Sequence, residues 1–171
     1  GFENPFTQGT NVDFVQNFNG NNVAATNRIC QDAANHHNGA AACAITPTSS
    51  FDGVVLVSMN LSGYSNVYFD FWAATVLNGT GTRPVIVSIS TSVDGGVTFG
   101  PVTYIGDATA FANANTPWID YRYALPYYAF NHSGVVLKIK VTRGDGTGTA
   151  ARWLMDDVTV DHTLNDVTPP V

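Results

Sequence analysis

The sequence predicts an all-β fold, a two-sheet antiparallel β-sandwich of the jelly-roll kind, and three observations predict it. From residue 51 onward, apolar and polar residues alternate with period two, in runs bounded by Gly, Asn, Asp or Pro. Turn, β-branched and aromatic residues abound while long helix formers are scarce, with two Lys and a single Glu (Glu3) in 171 residues. No heptad, helical stripe or solenoid repeat competes with that pattern. Seven or more short strands joined by short turns make a sandwich. The length suits one domain, expected over residues 1–164, and 44% hydrophobic residues supply its core.

Before residue 50 the alternation is poorer, and short strands are expected near 11–18 and 23–29. Stronger runs place strands at 54–61, 66–74, 84–91, 97–105, 118–124, 134–143 and 151–161. The segments LNGTGTRP (77–84), SVDGG (92–96) and RGDGTG (143–148) are turns, rich in residues that accept positive φ. GDATAFANANT (106–116) reads as a long polar loop. In the tail LNDVTPPV, Pro169 and Pro170 cannot extend a ladder, so residues 165–171 are expected to link to a following domain.

Alternation also assigns faces. Val67, Phe69 and Phe71 share one face of their strand. Val135, Leu137, Ile139 and Val141 form the inward set of another, and Ile119, Tyr121, Tyr123 and Leu125 of a third. The non-core face then collects Tyr68, Trp72 and Trp118 with Asp70, Asp120, Arg122, Lys138 and Lys140. Aromatic rings among fixed polar groups suit a sugar, whose CH face stacks while its hydroxyls take hydrogen bonds. The alternative is that loops or the second sheet cover the tryptophans.

In the last strand, RWLMDDVTVDH, the residues Leu154, Val158 and Val160 set an inward parity that carries Asp156 with them. A buried carboxylate without a partner is costly or protonates. Asp156 is therefore expected to meet a metal ion or an arginine, or to be hydrogen-bonded at a strand end. Oxygen-rich surroundings favour calcium, with Glu3 as a second ligand.

Cys30 and Cys43 flank QDAANHHNGAAA, a polar stretch that reads as a loop in which two thiols could meet. A disulfide there would contribute ~3 kcal/mol; two separate buried thiols are the alternative. His36 and His37 hint at zinc, but CxxC and HxxxH spacings are absent.

A net charge of −6 argues against nucleic acid, which needs clustered Lys and Arg. No stretch reaches the roughly 18 apolar residues of a membrane helix, so no membrane insertion is expected. The sequence contains no G-x-S-x-G, HExxH or P-loop. Paired carboxylates for glycoside hydrolysis would normally include a Glu beyond Glu3. No catalysis is expected.

The opening Phe2-Glu3-Asn4 and the closing W-L-M-D-D-V (153–158) resemble the ends of extracellular jelly-roll domains of bacterial surface proteins. These include cleaved-adhesin and MAM-like domains and carbohydrate-binding modules with FE…DDV ends. VIVSISTSVDGGVTF (85–99) is similar to their V-x-x-S-x-DGG-x-T-F hairpin. Residues 92–99 also fit the Asp box, S-x-D-x-G-x-T-[WF], in which Asp94 would tie a turn. The likeness covers most of 51–161 and the first few residues. It implies a secreted or cell-surface location and a structural calcium between Glu3 and Asp156, with Asp157 as a helper. With the aromatic face, it leads to a non-catalytic, monomeric module of a longer chain that binds polysaccharide or another glycan through Tyr68, Trp72, Trp118 and Arg122. The rival expectation is an adhesin or spacer domain that recognises protein or extends a surface chain.

Overall fold

The computed structural model describes Phe2, the backbone of residues 10–12 and 15–20, and residues 28–164. Among these, the strands are β1 (Thr10–Val12), β2 (Val15–Gly20), β3 (Ile29–Asp32), β4 (Ala42–Ile45), β5 (Gly53–Met59) and β6 (Tyr64–Val76). They continue with β7 (Val85–Ser92), β8 (Thr103–Ile105), β9 (Ile119–Ala124), β10 (Val135–Arg143) and β11 (Arg152–Leu164). A single 3-10 turn at Tyr127–Ala129 is the helical content of the described residues. The strands form two antiparallel sheets, one ordered β1-β2-β5-β10-β7-β8 and the other β3-β4-β11-β6-β9. This is the expected sandwich.

The core lies between the sheets because alternate residues of facing strands point at each other. Ile139 sits opposite Val55 on one side and Ile89 on the other, and Leu137 opposite Val57. All five are buried. From the other sheet come Val67, Phe69 and Phe71 of β6 with Trp153 and Met155 of β11, equally buried. The Tyr123 hydroxyl bonds Thr91 Oγ1 at 3.0 Å, so the one polar end of that ring is satisfied across the sandwich. Gly53 is needed where β5 passes Ile45, since a Cβ there would lie 2.1 Å from Ile45 Cγ2. Phe2 is also buried in the core, and its carbonyl accepts from Gln31 Nε2 at 2.5 Å. Position 2 is thereby held against β3.

The Asp box behaves as a turn. Asp94 accepts from the N–H groups of Val97 and Thr98 at 3.0 and 2.9 Å and from Thr98 Oγ1 at 2.6 Å. Gly95 and Gly96 take φ of 75° and 92°, which an L side chain rarely adopts. The hydroxyl of Ser92 also bonds Asp94, and this set of donors holds the carboxyl below the usual carboxylate range.

Several expectations need correction. Strand 97–105 shortens to β8, because the Asp box consumes its first half. The 106–116 loop is not purely a solvent loop, since Phe111 is buried against Trp153 and Tyr121. Ile119 is 42% exposed rather than core, as β9 is the edge of its sheet. The polar run between the cysteines starts and ends in two paired strands, β3 and β4. In the N-terminal region two strands, β1 and β2, occupy the neighbourhood of the one expected at 11–18. Most of 23–29 and all of the expected linker 165–171 lie outside the described residues.

Candidate functional site

The aromatic candidates do share one surface, the outer face of the five-stranded sheet. In the register of β6 and β9, Trp72 lies opposite Asp120, Asp70 opposite Arg122 and Tyr68 opposite Ala124. Directly opposed residues project to the same side, so Tyr68, Asp70, Trp72, Asp120 and Arg122 belong together. Lys138 and Lys140 do not join them. They lie on β10, in the other sheet, where Lys138 sits 3.9 Å from the centre of the Phe99 ring and Lys140 pairs with Asp52 at 2.9 Å.

At one part of this face Arg122 is fixed by a two-pronged ion pair. Its Nε and Nη2 donate to the two oxygens of Asp70 at 2.8 and 2.7 Å, and Nη2 also reaches Asp161 at 3.3 Å. The guanidinium lies 4.7 Å from the Tyr68 ring centre. The hydrogen bond to Asp70 raises the Arg122 pKa beyond its already high value, so the guanidinium stays charged between its two carboxylates. A guanidinium beside a tyrosine ring places donor groups and ring surface next to each other.

The other part was not legible as such. The segment 33–41 folds across the sheet above β11 and β6, carrying His37. The His37 ring stacks on Trp72 with centroids 4.0 Å apart and planes 12° off parallel. It is tilted against Trp118 at 5.7 Å. Its Nδ1 meets Asp157 Oδ2 at 2.6 Å, and Asn38 Nδ2 reaches the same oxygen at 2.5 Å. One face of Trp72 is therefore covered by an imidazole, and both tryptophans are half-buried. Asp32 starts this segment by accepting the N–H groups of Ala34 and Asn35, each at 3.0 Å. An Asp followed by an Asn- and His-rich run was the available signal, since such side chains bond their own backbone.

Asp156 is fully buried, as expected, but on the opposite side of the sheet from the core. Trp153 and Met155 face inward before it, and Val158 and Val160 after it. The parity changes because the pairing with β6 slips between Asp156 and Thr159, with Asp157 at φ 47°. This is a β-bulge, an extra residue that re-aims its neighbours. Leu154 and Asp156 consequently share the outer face with Trp72, the residue opposite Asp156.

The Asp156 carboxylate is met by peptide donors. Oδ2 accepts from His37 N–H at 2.9 Å and Asn38 N–H at 3.3 Å, and Oδ1 from Asp157 N–H at 2.8 Å. Amides thus give Asp156 the hydrogen-bonded partners that were expected as the alternative to a metal ion or an arginine. Among the described residues no group of three or more His, Cys, Asp or Glu side chains is placed to hold a metal ion. Of the expected calcium ligands, Asp156 and Asp157 are adjacent here, while Glu3 lies outside the described residues. Oδ1 takes one donor among the described residues, and a carboxylate oxygen has two lone pairs. The donor set therefore fits a cation only together with Glu3 or carbonyl groups.

The expected Cys30–Cys43 disulfide is not formed. In the β3–β4 ladder Cys30 lies opposite Ala44, and Cys43 opposite Gln31. The two sulfurs therefore project to opposite sides of the sheet, a geometry that no bridge spans without a one-residue slip. Cys43 is in the core; burial, then nearby Cys30 and Asp156, push its thiol pKa up. Cys30 Sγ lies 3.2 Å from Arg152 Nη2.

No family model matches the chain, and no curated protein matches it. Solved structures do. The carbohydrate-binding module TmCBM61, in complex with beta-1,4-galactotriose, aligns with a TM-score of 0.52 at 14% identity, over 85% of this chain and 87% of that one. A structure of promiscuous carbohydrate-binding modules from the beta-sandwich superfamily aligns with a TM-score of 0.50 at 11% identity, over 84% of this chain and 53% of that one. The K3 cleaved adhesin domain of Lys-gingipain from Porphyromonas gingivalis aligns at a lower TM-score of 0.44 and 16% identity, over 72% and 75%. The chain has the jelly-roll β-sandwich fold of such modules.

Proposed function

We propose that this domain is a non-catalytic carbohydrate-binding module of a secreted or cell-surface protein, and that its glycan seat is the outer face of the five-stranded sheet. The observation that supports this reading is the gathering of Tyr68, Trp72, Trp118 and the anchored Arg122 on that single face. Rings give a sugar its stacking surface, the anchored Arg122 gives its hydroxyls a fixed partner, and the exposed Asp120 gives a further acceptor. Asp70 is engaged by Arg122, and Asp94 by its own turn, which leaves both carboxylates structural. Stacking on a few rings is weak, so affinities of roughly micromolar to millimolar are expected.

The adhesin or spacer reading draws on a different observation, the imidazole of His37 lying over Trp72. Affinity electrophoresis separates the two. Trp118→Ala and Tyr68→Ala are expected to abolish retardation by a polysaccharide that retards the parent, with a small change in melting temperature, and Arg122→Ala to abolish it with a larger loss, since Asp70 loses its partner. If no polysaccharide in a broad panel retards the parent, the glycan reading is wrong and the adhesin reading takes its place.

A structural calcium is proposed at Asp156, with Glu3 as its partner ligand and Asp157 as a helper. Its support is the complete burial of Asp156 and the attachment of Phe2, the neighbour of Glu3, to β3 of the same sheet. A cation bound only by the native state raises the melting temperature by mass action. EDTA is expected to lower that temperature in the parent and in Asp94→Ala, but not in Glu3→Gln. An unchanged parent melting temperature in EDTA would overturn it.

A further inference from the structure

Three chain crossings between the sheets meet at one end of the sandwich: 46–52 from β4 to β5, 77–84 from β6 to β7, and 144–151 from β10 to β11. Two of them are tied together. Thr82 N–H donates to the Thr147 carbonyl at 2.9 Å, Asn78 Nδ2 to the Ala150 carbonyl at 2.8 Å, and Thr149 Oγ1 to the Asn78 carbonyl. At Gly81 a Cβ would fall 2.0 Å from the Thr149 carbonyl oxygen, so the approach is open to glycine alone. These bonds make a fixed frame, and against it opens a cleft of about 150 Å³ lined by Arg28, Pro47, Thr48, Ser49, Asn78, Arg143 and residues 148–150.

The charge of this cleft is unusual for the molecule. The chain has seven basic side chains against thirteen acidic ones. Among the described residues, Arg122, Arg152 and Lys140 pair with carboxylates, Lys138 lies on Phe99, and Arg83 donates to the Gly144 carbonyl. Arg28 and Arg143 have no acidic partner among the described residues, and both line the same small cleft. Two cations lining one small cleft both attract an anion that enters it.

We propose that this cleft binds the carboxylate of an acidic sugar residue, a hexuronate, between Arg28 and Arg143. A guanidinium fork matches a planar carboxylate with two parallel hydrogen bonds. Thr48 and Ser49 add hydroxyls that can donate to or accept from a sugar ring. The volume is well below the roughly 300–1,000 Å³ of sites for drug-sized ligands, which restricts the cleft to one terminal or protruding residue. The site is separate from the aromatic face, because β6 runs on for roughly 13 Å beyond Trp72 before it ends. The choice of a sugar as the carrier of the carboxylate rests on the glycan-binding reading above.

Amide NMR of the whole chain, titrated separately with glucuronate, glucose and inorganic phosphate, tests it. Glucuronate is expected to shift the amides of 48–49 and 148–150 saturably, with an affinity that falls as salt is raised. Glucose should leave them in place, and phosphate should bind more weakly than glucuronate. Arg28→Gln and Arg143→Gln should each weaken glucuronate by roughly tenfold, with Arg143→Lys intermediate because it keeps the charge but loses the fork. Absence of shifts at these amides, or shifts that persist in both Gln variants, would overturn the site. Phosphate binding as tightly as glucuronate would overturn its assignment to a sugar acid. Glucuronate shifts that Arg143→Gln removes, in a domain that no neutral polysaccharide retards, would sink the aromatic-face reading and leave the cleft standing.

Discussion

The outer faces of the two sheets arise from the same alternation and are covered to different extents. On the six-stranded sheet, the outward residues of β10 are Val136, Lys138, Lys140 and Thr142; Val136 is buried, while Lys138 and Lys140 are partly exposed and each engaged by one neighbour. On the five-stranded sheet the outward residues of β4, β6 and β11 include Ala42, Ala44, Ala74, Leu154 and Asp156, all buried. Part of the difference is the segment 33–41, which lies over Trp72 on the second sheet and is held there by Asp156. An outer face is thus not the same as a solvent face: small side chains there let a loop settle, and a carboxylate gives its backbone donors a place to end. The side of the sandwich that carries the aromatic cluster is also the side with a second, smaller packed layer.

The comparison breaks most visibly if the two layers contribute very different stabilities. Trp153→Ala removes a fully buried ring from the main core and is expected to cost about 3–5 kcal/mol. Leu154→Ala, one residue later and on the outer layer, is expected to cost about 2–3 kcal/mol if that layer packs like a core. Denaturant unfolding measures both, and a Leu154 value near zero would show that the outer layer is not packed in solution.

Asp156→Ala comes next. It leaves the His37, Asn38 and Asp157 amides without their acceptor, at about 1–3 kcal/mol for the first such buried donor. Hydrogen exchange at the His37 and Asn38 amides should accelerate strongly in this variant, while Ile139 in the main core stays protected. Equal acceleration at both would mean that the segment and the core open as one unit.

The two thiols sharpen the contrast at smaller energetic cost. Cys43 faces the core, and Cys30 the outer side of the same sheet. Burial raises the Cys43 pKa, so its contribution to stability is complete below the unfolded thiol value and lost only as pH rises toward the elevated folded one. Alkylation of the native protein at neutral pH should therefore label Cys30 first and Cys43 only on unfolding. Intact mass should be the same with and without reductant. A difference of two hydrogens would restore the disulfide and require β3 to slip by one residue.

The smallest effect is expected at Lys138→Ala, at about 0.5 kcal/mol, the worth of a partly exposed cation on an aromatic ring.

Sequence reasoning reached the two-sheet class, the inward sets of β6 and β10 and the Asp-box turn, because these depend on neighbours close in the chain. Period-two alternation fixes which residues share a face of one strand, and Asp94 bonds donors no more than four residues away. It also put Trp72 and Trp118 opposite the core, where the structure has them, but its inward parity for Leu154 turned Trp153 outward, whereas Trp153 is in the core. Tertiary structure alone decided which strands share a sheet, and so separated Lys138 and Lys140 from Trp72. It alone showed the bulge at Asp157, since one inserted residue reverses parity without any change in composition. Asp156 met the backbone of His37 across a sequence separation of 119 residues, and Arg28 and Arg143 came to line one cleft. Such encounters are set by how strands from distant parts of the chain are ordered, a choice made by the packing of the whole core and not by any local pattern.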